Sequence, residues 1–265
     1  MKQLGRKDVI DALVNALEPL DYVYALWEGG AVGFGRADEW SDIDAQAIVD
    51  DGRVEDVFAA VDMAVEKLGD TVAKFRLPEP TWHGHSQCFY KLKNASPFML
   101  IDLAIMKEHT EADKFDVWAT HGMPIVKFDK KGLIKEKELD PETHAGAIMK
   151  RLETLISLFE IFHIMPMKET NRGNHIEALF FYLSQTYRPL VEALRMKHCP
   201  QRYNYATRYV YYDLPDDVVK RLETLTFFRP EEMEEKVGEV REWFREVAGS
   251  ISVEEIQQKL SGQEL

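Results

Sequence analysis

Apolar residues at helical spacing open the chain. Val9, Ile10, Leu13, Leu17 and Leu20 recur every three or four positions, which predicts an amphipathic helix over 7–19 that Pro19 helps to end. The period then changes. Tyr22–Trp27 is rich in β-formers and predicts a strand, ended by Gly29 and Gly30. Ile43–Val49 predicts a second strand, Asp50-Asp51-Gly52 a turn, and 54–68 a helix with Val57, Phe58, Val61, Ala64, Val65 and Leu68 on its buried side. Strands are expected over 71–77, 87–92 and 97–106. Leu-Pro-Glu-Pro interrupts the first, and Lys-Asn-Ala-Ser joins the last two as a hairpin. A helix over 111–121 and a short strand over 125–128 complete this half.

The pattern shifts around 130–141, a charged stretch with Gly132 and Pro141 that reads as a linker. Everything beyond it is helical. Segments are expected over 145–162, 174–197, 216–225 and 230–248, with a tail helix over 252–260. In the second of these Asn174 is placed as N-cap, and Ile176, Leu179, Phe180, Leu183, Tyr187, Leu190 and Leu194 form the apolar stripe. There is no internal repeat and no low-complexity tract. The expected architecture is an α/β (α+β) domain with a mixed sheet over 1–135, followed by an all-α helical bundle over 136–265.

Composition narrows the function. The chain has 265 residues, 45% hydrophobic and 30% charged, enough to bury a real core. Its formal net charge of −13 argues against a protein that grips a long nucleic acid, because phosphate contacts need clustered Lys and Arg. The two cysteines, Cys88 and Cys199, lie far apart without metal-like spacing, and read as free buried thiols in a reducing compartment. The N-terminal residues lack a signal-peptide core, and Asp102 breaks the short apolar run at 98–106, so no membrane association and a cytoplasmic location are expected.

Two carboxylates change the picture. Asp42 and Asp44 stand at i and i+2 at the start of a strand, so both project from one face. At that distance they repel one another unless a cation sits between them. Hard oxygen ligands suit Mg²⁺, which takes its remaining ligands from water and substrate phosphates. Asp102, inside an otherwise apolar strand, is costly unless it faces a cation or a solvent-filled cleft. If its strand lies beside that of Asp42 and Asp44, the three converge. Gly29-Gly30 permits a tight turn in which backbone N–H groups approach a phosphate. The segment 31–36 then reads as a short helix or turn. Ser41 and Arg36 could reach a phosphate oxygen.

Gly-Gly, eleven residues, Asp-Ile-Asp and a later strand Asp resembles the nucleotidyltransferase superfamily, whose fold is shared with DNA polymerase beta. The resemblance covers roughly residues 20–106. It implies Asp42 and Asp44 as Mg²⁺ ligands, Asp102 as the third carboxylate, and Gly29 and Gly30 as the phosphate turn. Two Mg²⁺ ions and a nucleoside triphosphate, with ATP favoured, follow from it. Many members carry Ser where this chain has Gly30; Ser41 could compensate. The helical half resembles, in layout only, the C-terminal domains of aminoglycoside and lincosamide nucleotidyltransferases. That implies nucleotidyl transfer to a hydroxyl of a small molecule, with Glu160, Glu169 or Glu177 as possible general bases. The oligomeric state stays open. Alternatives are an antitoxin or regulator of the same fold that modifies or binds a protein, and a non-catalytic nucleotide-binding protein.

Three further stretches carry weaker signals. His83 and His85 are placed at i, i+2 on a strand, more readily as surface histidines than as metal ligands. The polar stretch 168–175, with Lys168, Arg172 and Asn174, could face a cleft between domains. The Tyr- and Arg-rich stretch 198–214 could stack a base or sugar, but fits a packed interdomain surface better.

Overall fold

The computed structural model describes residues 3–110 and 114–262. The chain divides into two units, Met1–Glu138 and Leu139–Leu265.

In the first unit α1 (Arg6–Leu17) begins where the Gly5 N–H donates to Asp8 Oδ2 at 2.8 Å, one half of a capping box. The unit continues through β1 (Val23–Glu28), the single turn α2 (Gly30–Gly33), β2 (Ile43–Val49), α3 (Val54–Leu68), β3 (Thr71–Arg76) and β4 (Ser86–Leu92). It ends with β5 (Ile101–Lys107), α4 (Trp118–His121) and β6 (Ile125–Asp129). The strands form one sheet in the order β3-β4-β5-β2-β1-β6. Only β2 and β5 are parallel; every other neighbouring pair is antiparallel. The mixed sheet expected from the sequence is therefore present.

Strand alternation sorts the sheet into two unlike faces. Ile43, Ala45, Ala47 and Val49 of β2, with Ile101, Leu103 and Ile105 of β5, share a core with the apolar sides of α1 and α3. Each fully buried aliphatic side chain there contributes about 1.5–3 kcal/mol. The opposite face bears a smaller apolar cluster, Ala25, Trp27, Ile48, Ala104 and Met106. Asp44, Gln46 and Asp102 fall on this second face by the same alternation, and all three are half-buried.

Several expectations in this unit are corrected. The strand expected from 97 starts at Ile101, because Pro97 has no N–H for a ladder and the Met99 N–H turns back to Ser96 O at 3.0 Å. Lys-Asn-Ala-Ser is thus part of a longer connection, not a tight hairpin. Of the helix expected over 111–121, residues 111–113 lie outside the described residues, and the described part contains only Trp118–His121. His83 and His85 lie in the turn before β4, not on a strand.

Among the described residues, the regular elements of the second unit are all helical: α5 (Pro141–Phe162), α6 (Met165–Asn171), α7 (His175–Phe181), α8 (Arg188–His198), α9 (Val210–Asp213), α10 (Asp216–Thr224), α11 (Met233–Ser250) and α12 (Val253–Leu260). Asp140 caps α5 by accepting from the Thr143 N–H at 3.0 Å, with Pro141 in the first turn where its missing N–H costs nothing. Ile148, Leu152, Leu155 and Phe159 of α5 share a core with Val191 and Leu194 of α8 and Val240 and Phe244 of α11. The Phe159 and Phe244 rings stack at 3.9 Å.

The single helix expected over 174–197 is interrupted. A π-helical turn, Tyr182–Tyr187, separates α7 from α8, and the Arg188 N–H reaches Leu183 O, five residues back. Pro189 supplies the cause, since it can donate no i→i−4 bond and its ring crowds the preceding turn. The expected stripe divides at this point. Leu190 and Leu194 are buried, whereas Ile176 and Phe180 are 79% and 68% exposed. Asn174 occupies the N-cap position, but its side-chain amide donates to Glu169 Oε2 at 2.8 Å instead of capping. Among the described residues no helix is long and apolar enough to cross a membrane.

Candidate active site

The parallel register of β2 and β5 sets Asp44 directly opposite Asp102. Both stand near the starts of their strands, on the face that α1 and α3 leave uncovered. Asp102 Oδ1 accepts from Gln87 Nε2 at 2.6 Å. Gln87 Oε1 lies 3.0 Å from His83 Nε2. Because His83 Nδ1 accepts from the His85 N–H at 3.1 Å, the ring proton is assigned to Nε2, which donates to Gln87. Gln87 is thereby fixed with its NH₂ toward Asp102.

The glycine pair sits against these carboxylates. The Gly29 N–H donates to Asp44 O at 2.9 Å and ties the end of β1 to the start of β2. Gly30 adopts φ +61°, and a Cβ built there would lie 1.8 Å from Asp44 Oδ2. A Cβ on Gly29 would lie 2.8 Å from both polar atoms of the Gln46 amide. The turn is therefore closed down onto Asp44 and Gln46: a Cβ at Gly30 would require Asp44 to shift, and one at Gly29 only the end of the Gln46 side chain.

A buried ion cluster holds both ends of the 29–42 segment. Glu28, 4% exposed, accepts from Arg6 Nε and from Lys127 Nζ, each at 2.7 Å. Arg6 Nη1 also donates to Asp42 O at 2.8 Å. One guanidinium from α1 thus spans the residue before Gly29 and the first aspartate. A carboxylate buried with two cationic partners is compensated, where a lone one would cost several kcal/mol.

The sequence-predicted residues are not all gathered. Asp42 is exposed, and its Oδ1 accepts from the Leu100 N–H at 3.3 Å. The Ser41 hydroxyl donates to Asp38 Oδ1 at 2.7 Å and accepts from the Asp38 N–H at 2.9 Å, so it is committed to its own turn. The Arg36 guanidinium lies over the Phe34 ring at 5.1 Å. Among the described residues no group of three or more His, Cys, Asp or Glu side chains is arranged to hold a metal ion. The register brings Asp44 and Asp102 side by side. Asp42 lies ahead of β2 and is drawn to the Leu100 amide.

Sequence reasoning missed Gln46, Gln87, Arg6 and Glu28. Gln46 was within reach, standing two residues beyond Asp44 in the same strand. Glu28 also carried a signal, a carboxylate ending an apolar strand. Gln87 and Arg6 enter through long-range pairings that leave no local trace.

In the helical unit, two of the three carboxylates considered as bases are held low. Hydrogen bonds from Arg245 hold Glu160 below the usual carboxylate range. Glu169 is also lowered, first by the Asn174 amide and then by Arg172. A lowered carboxyl is a weaker proton acceptor at neutral pH. Cys88 and Cys199 are free and buried, and burial raises both thiols.

No family model matches this chain, and no curated protein does. Solved structures similar to it include the following two. An aminoglycoside 6-adenyltransferase from Bacillus subtilis is 13% identical, covering 99% of this chain and 94% of that chain at a TM-score of 0.38. A nucleotidyltransferase-like protein from Exiguobacterium sibiricum is 12% identical, covering 93% of this chain and 75% of that chain, also at a TM-score of 0.38.

Proposed function

We propose that the first unit is a Mg²⁺-dependent nucleotidyltransferase, moving a nucleoside monophosphate from a triphosphate, ATP in the first instance, to a hydroxyl of a small molecule. The observation that carries this reading is the placement of Asp44 opposite Asp102, with the glycine turn packed closely against Asp44.

The donor set fits the ion. Two half-buried carboxylates side by side in the sheet offer hard oxygens, and Mg²⁺ is commonly held by one or two carboxylates plus substrate phosphates. Asp44 and Asp102 would hold it, with Asp42 offering a further carboxylate oxygen at the start of β2. When bound, the ion would neutralise triphosphate charge and lower the pKa of the attacking hydroxyl.

The chain's own residues do the positioning. Gly29 spends its N–H on Asp44, so of the pair Gly30 would supply the backbone donor to the triphosphate. Gln87 keeps Asp102 oriented, and Arg6 with Glu28 keeps the turn and Asp42 in register. The acceptor oxygen attacks the α-phosphorus, the bond to the β-phosphate oxygen breaks, and pyrophosphate leaves with that electron pair. The acceptor's proton is lost to solvent or to a base. Such transfer depends on alignment and charge stabilisation more than on covalent catalysis. The charge of −13 favours a small, neutral or cationic acceptor over a nucleic-acid strand.

Pyrophosphate release tests the reading. With Mg²⁺ present, release is expected to require both a triphosphate and a hydroxyl-bearing small molecule, with aminoglycosides the first panel, and to be absent with oligonucleotide acceptors. Release that depends on an oligonucleotide, or none from any pairing, would overturn it.

A further inference from the structure

The helical unit carries a cleft of about 260 Å³ lined by Arg151, Arg188, Glu192, Tyr203, Asn204 and Ala206. Its walls come from α5, the start of α8 and the segment after α8. Arg151 and Glu192 form a two-pronged pair, Nε to Oε1 at 2.6 Å and Nη2 to Oε2 at 2.9 Å, and so cancel one another's charge. The Arg188 guanidinium has no ion pair among the described residues. The cleft thus keeps a net positive charge within a chain of −13.

The backbone around it is not relaxed. The π-helical turn Tyr182–Tyr187 ends at Arg188 and rotates the residues that follow, and π-turns are frequent at functional sites. Ala206 adopts φ +50°, a conformation unfavourable for a residue with a Cβ. Beneath the cleft, Arg195 is fully buried and fixes the loop by donating Nε to Arg202 O at 2.7 Å and Nη1 to Arg208 O at 2.9 Å. A loop held in a strained shape by a buried guanidinium is built to present its side chains in a set geometry.

We infer that this cleft binds a small phosphate monoester. Guanidinium matches phosphate oxygens in a fork geometry that lysine cannot supply, and Arg188 is available for it. The Tyr203 hydroxyl and the Asn204 amide are suited to hydroxyl groups on the attached alcohol or sugar. The volume lies just below the usual range for drug-sized ligands, which suits a sugar phosphate and is small for a nucleoside triphosphate. The inference does not depend on the reading of the first unit.

Calorimetric titration of the full chain without Mg²⁺ or nucleotide tests it, using inorganic phosphate, glucose 6-phosphate and acetate as probes. Both phosphates are expected to bind, and Arg188→Gln should weaken each by about tenfold or more. Arg188 is exposed, so the variant should keep the wild-type unfolding midpoint. Asn204→Ala gives an independent reading, weakening glucose 6-phosphate while leaving inorganic phosphate unchanged. The inference is overturned if Arg188→Gln binds as wild type, if acetate binds as tightly as phosphate, or if neither phosphate binds up to about 10 mM.

Discussion

Gly30→Ser is expected to lower kcat/KM for nucleotidyl transfer by at least about a hundredfold, close to 2.7 kcal/mol of lost transition-state stabilisation. The family resemblance alone suggests the opposite, since many members carry Ser at this place and use it on the triphosphate. The geometry here opposes that solution. Gly30 sits at φ +61°, where a residue with a Cβ costs about 1–2 kcal/mol. More seriously, its Cβ would lie 1.8 Å from Asp44 Oδ2 and 2.5 Å from Asp44 Cγ. Asp44 would have to leave its rotamer, and with it the position opposite Asp102. The damage should therefore fall on activity more than on folding, with the unfolding midpoint falling by only a few degrees. Steady-state kinetics beside a thermal melt checks both halves. A Gly30→Ser enzyme with wild-type kcat/KM would show that the close approach to Asp44 plays no part in the reaction.

Asp213→Asn should destabilise the protein by about 3–5 kcal/mol, the largest stability effect we expect from one isosteric change. The side chains of Asp213 and Arg195 are fully buried, and that of Arg202 is 11% exposed. Arg195 Nη2 donates to Asp213 Oδ2 at 2.8 Å, and Arg202 Nη2 to Oδ1 at 2.7 Å. Removing the carboxylate charge takes a buried counter-charge away from two guanidinium groups that are largely out of water. The same carboxyl sets an acid limit. Burial works to raise it, but hydrogen bonds and charge from Arg202 and Arg195 outweigh burial and hold it below the usual carboxylate range. A lowered folded pKa stabilises above the unfolded value, and that stability is lost as pH falls through the folded value. Wild type should thus keep this contribution to about pH 4 and lose it below, while Asp213→Asn should lack that acid-side decline. Urea unfolding followed by circular dichroism across pH measures both. A variant within about 1 kcal/mol of wild type would mean that the arginines find other partners or water.

Local patterns made much of this legible. The alternation in Ile43–Val49 already placed Asp44 apart from the core residues Ile43 and Ala45, and Asp102 announced itself as a charge inside an apolar strand. Their pairing is expected only through the family resemblance, because the parallel register of β2 and β5 joins segments 58 residues apart (Asp44 to Asp102) and leaves no local mark on either. Asp42 shows the limit of reasoning from spacing. Its i, i+2 relation to Asp44 is as expected, yet it lies exposed ahead of β2 with one oxygen accepting from the Leu100 amide. Ser41 is similar, a hydroxyl in the right place but spent on Asp38. In the helical half, Pro189 was a visible warning within the apolar stripe, and the π-helical turn is its consequence. The exposure of Ile176 and Phe180 reflects tertiary packing that periodicity cannot see.

The central claim is that Asp44 and Asp102 form a metal–triphosphate site. The most direct test is thermal unfolding of wild type and Asp44→Asn with each common nucleoside triphosphate, with and without Mg²⁺. A ligand that binds only the folded state raises the midpoint by mass action, by about 2.7 kcal/mol at a hundredfold excess over Kd. The account predicts that at least one triphosphate raises the wild-type midpoint, only with Mg²⁺, and leaves Asp44→Asn unmoved. A wild-type midpoint that no triphosphate shifts, or an equal shift in both proteins, would contradict it.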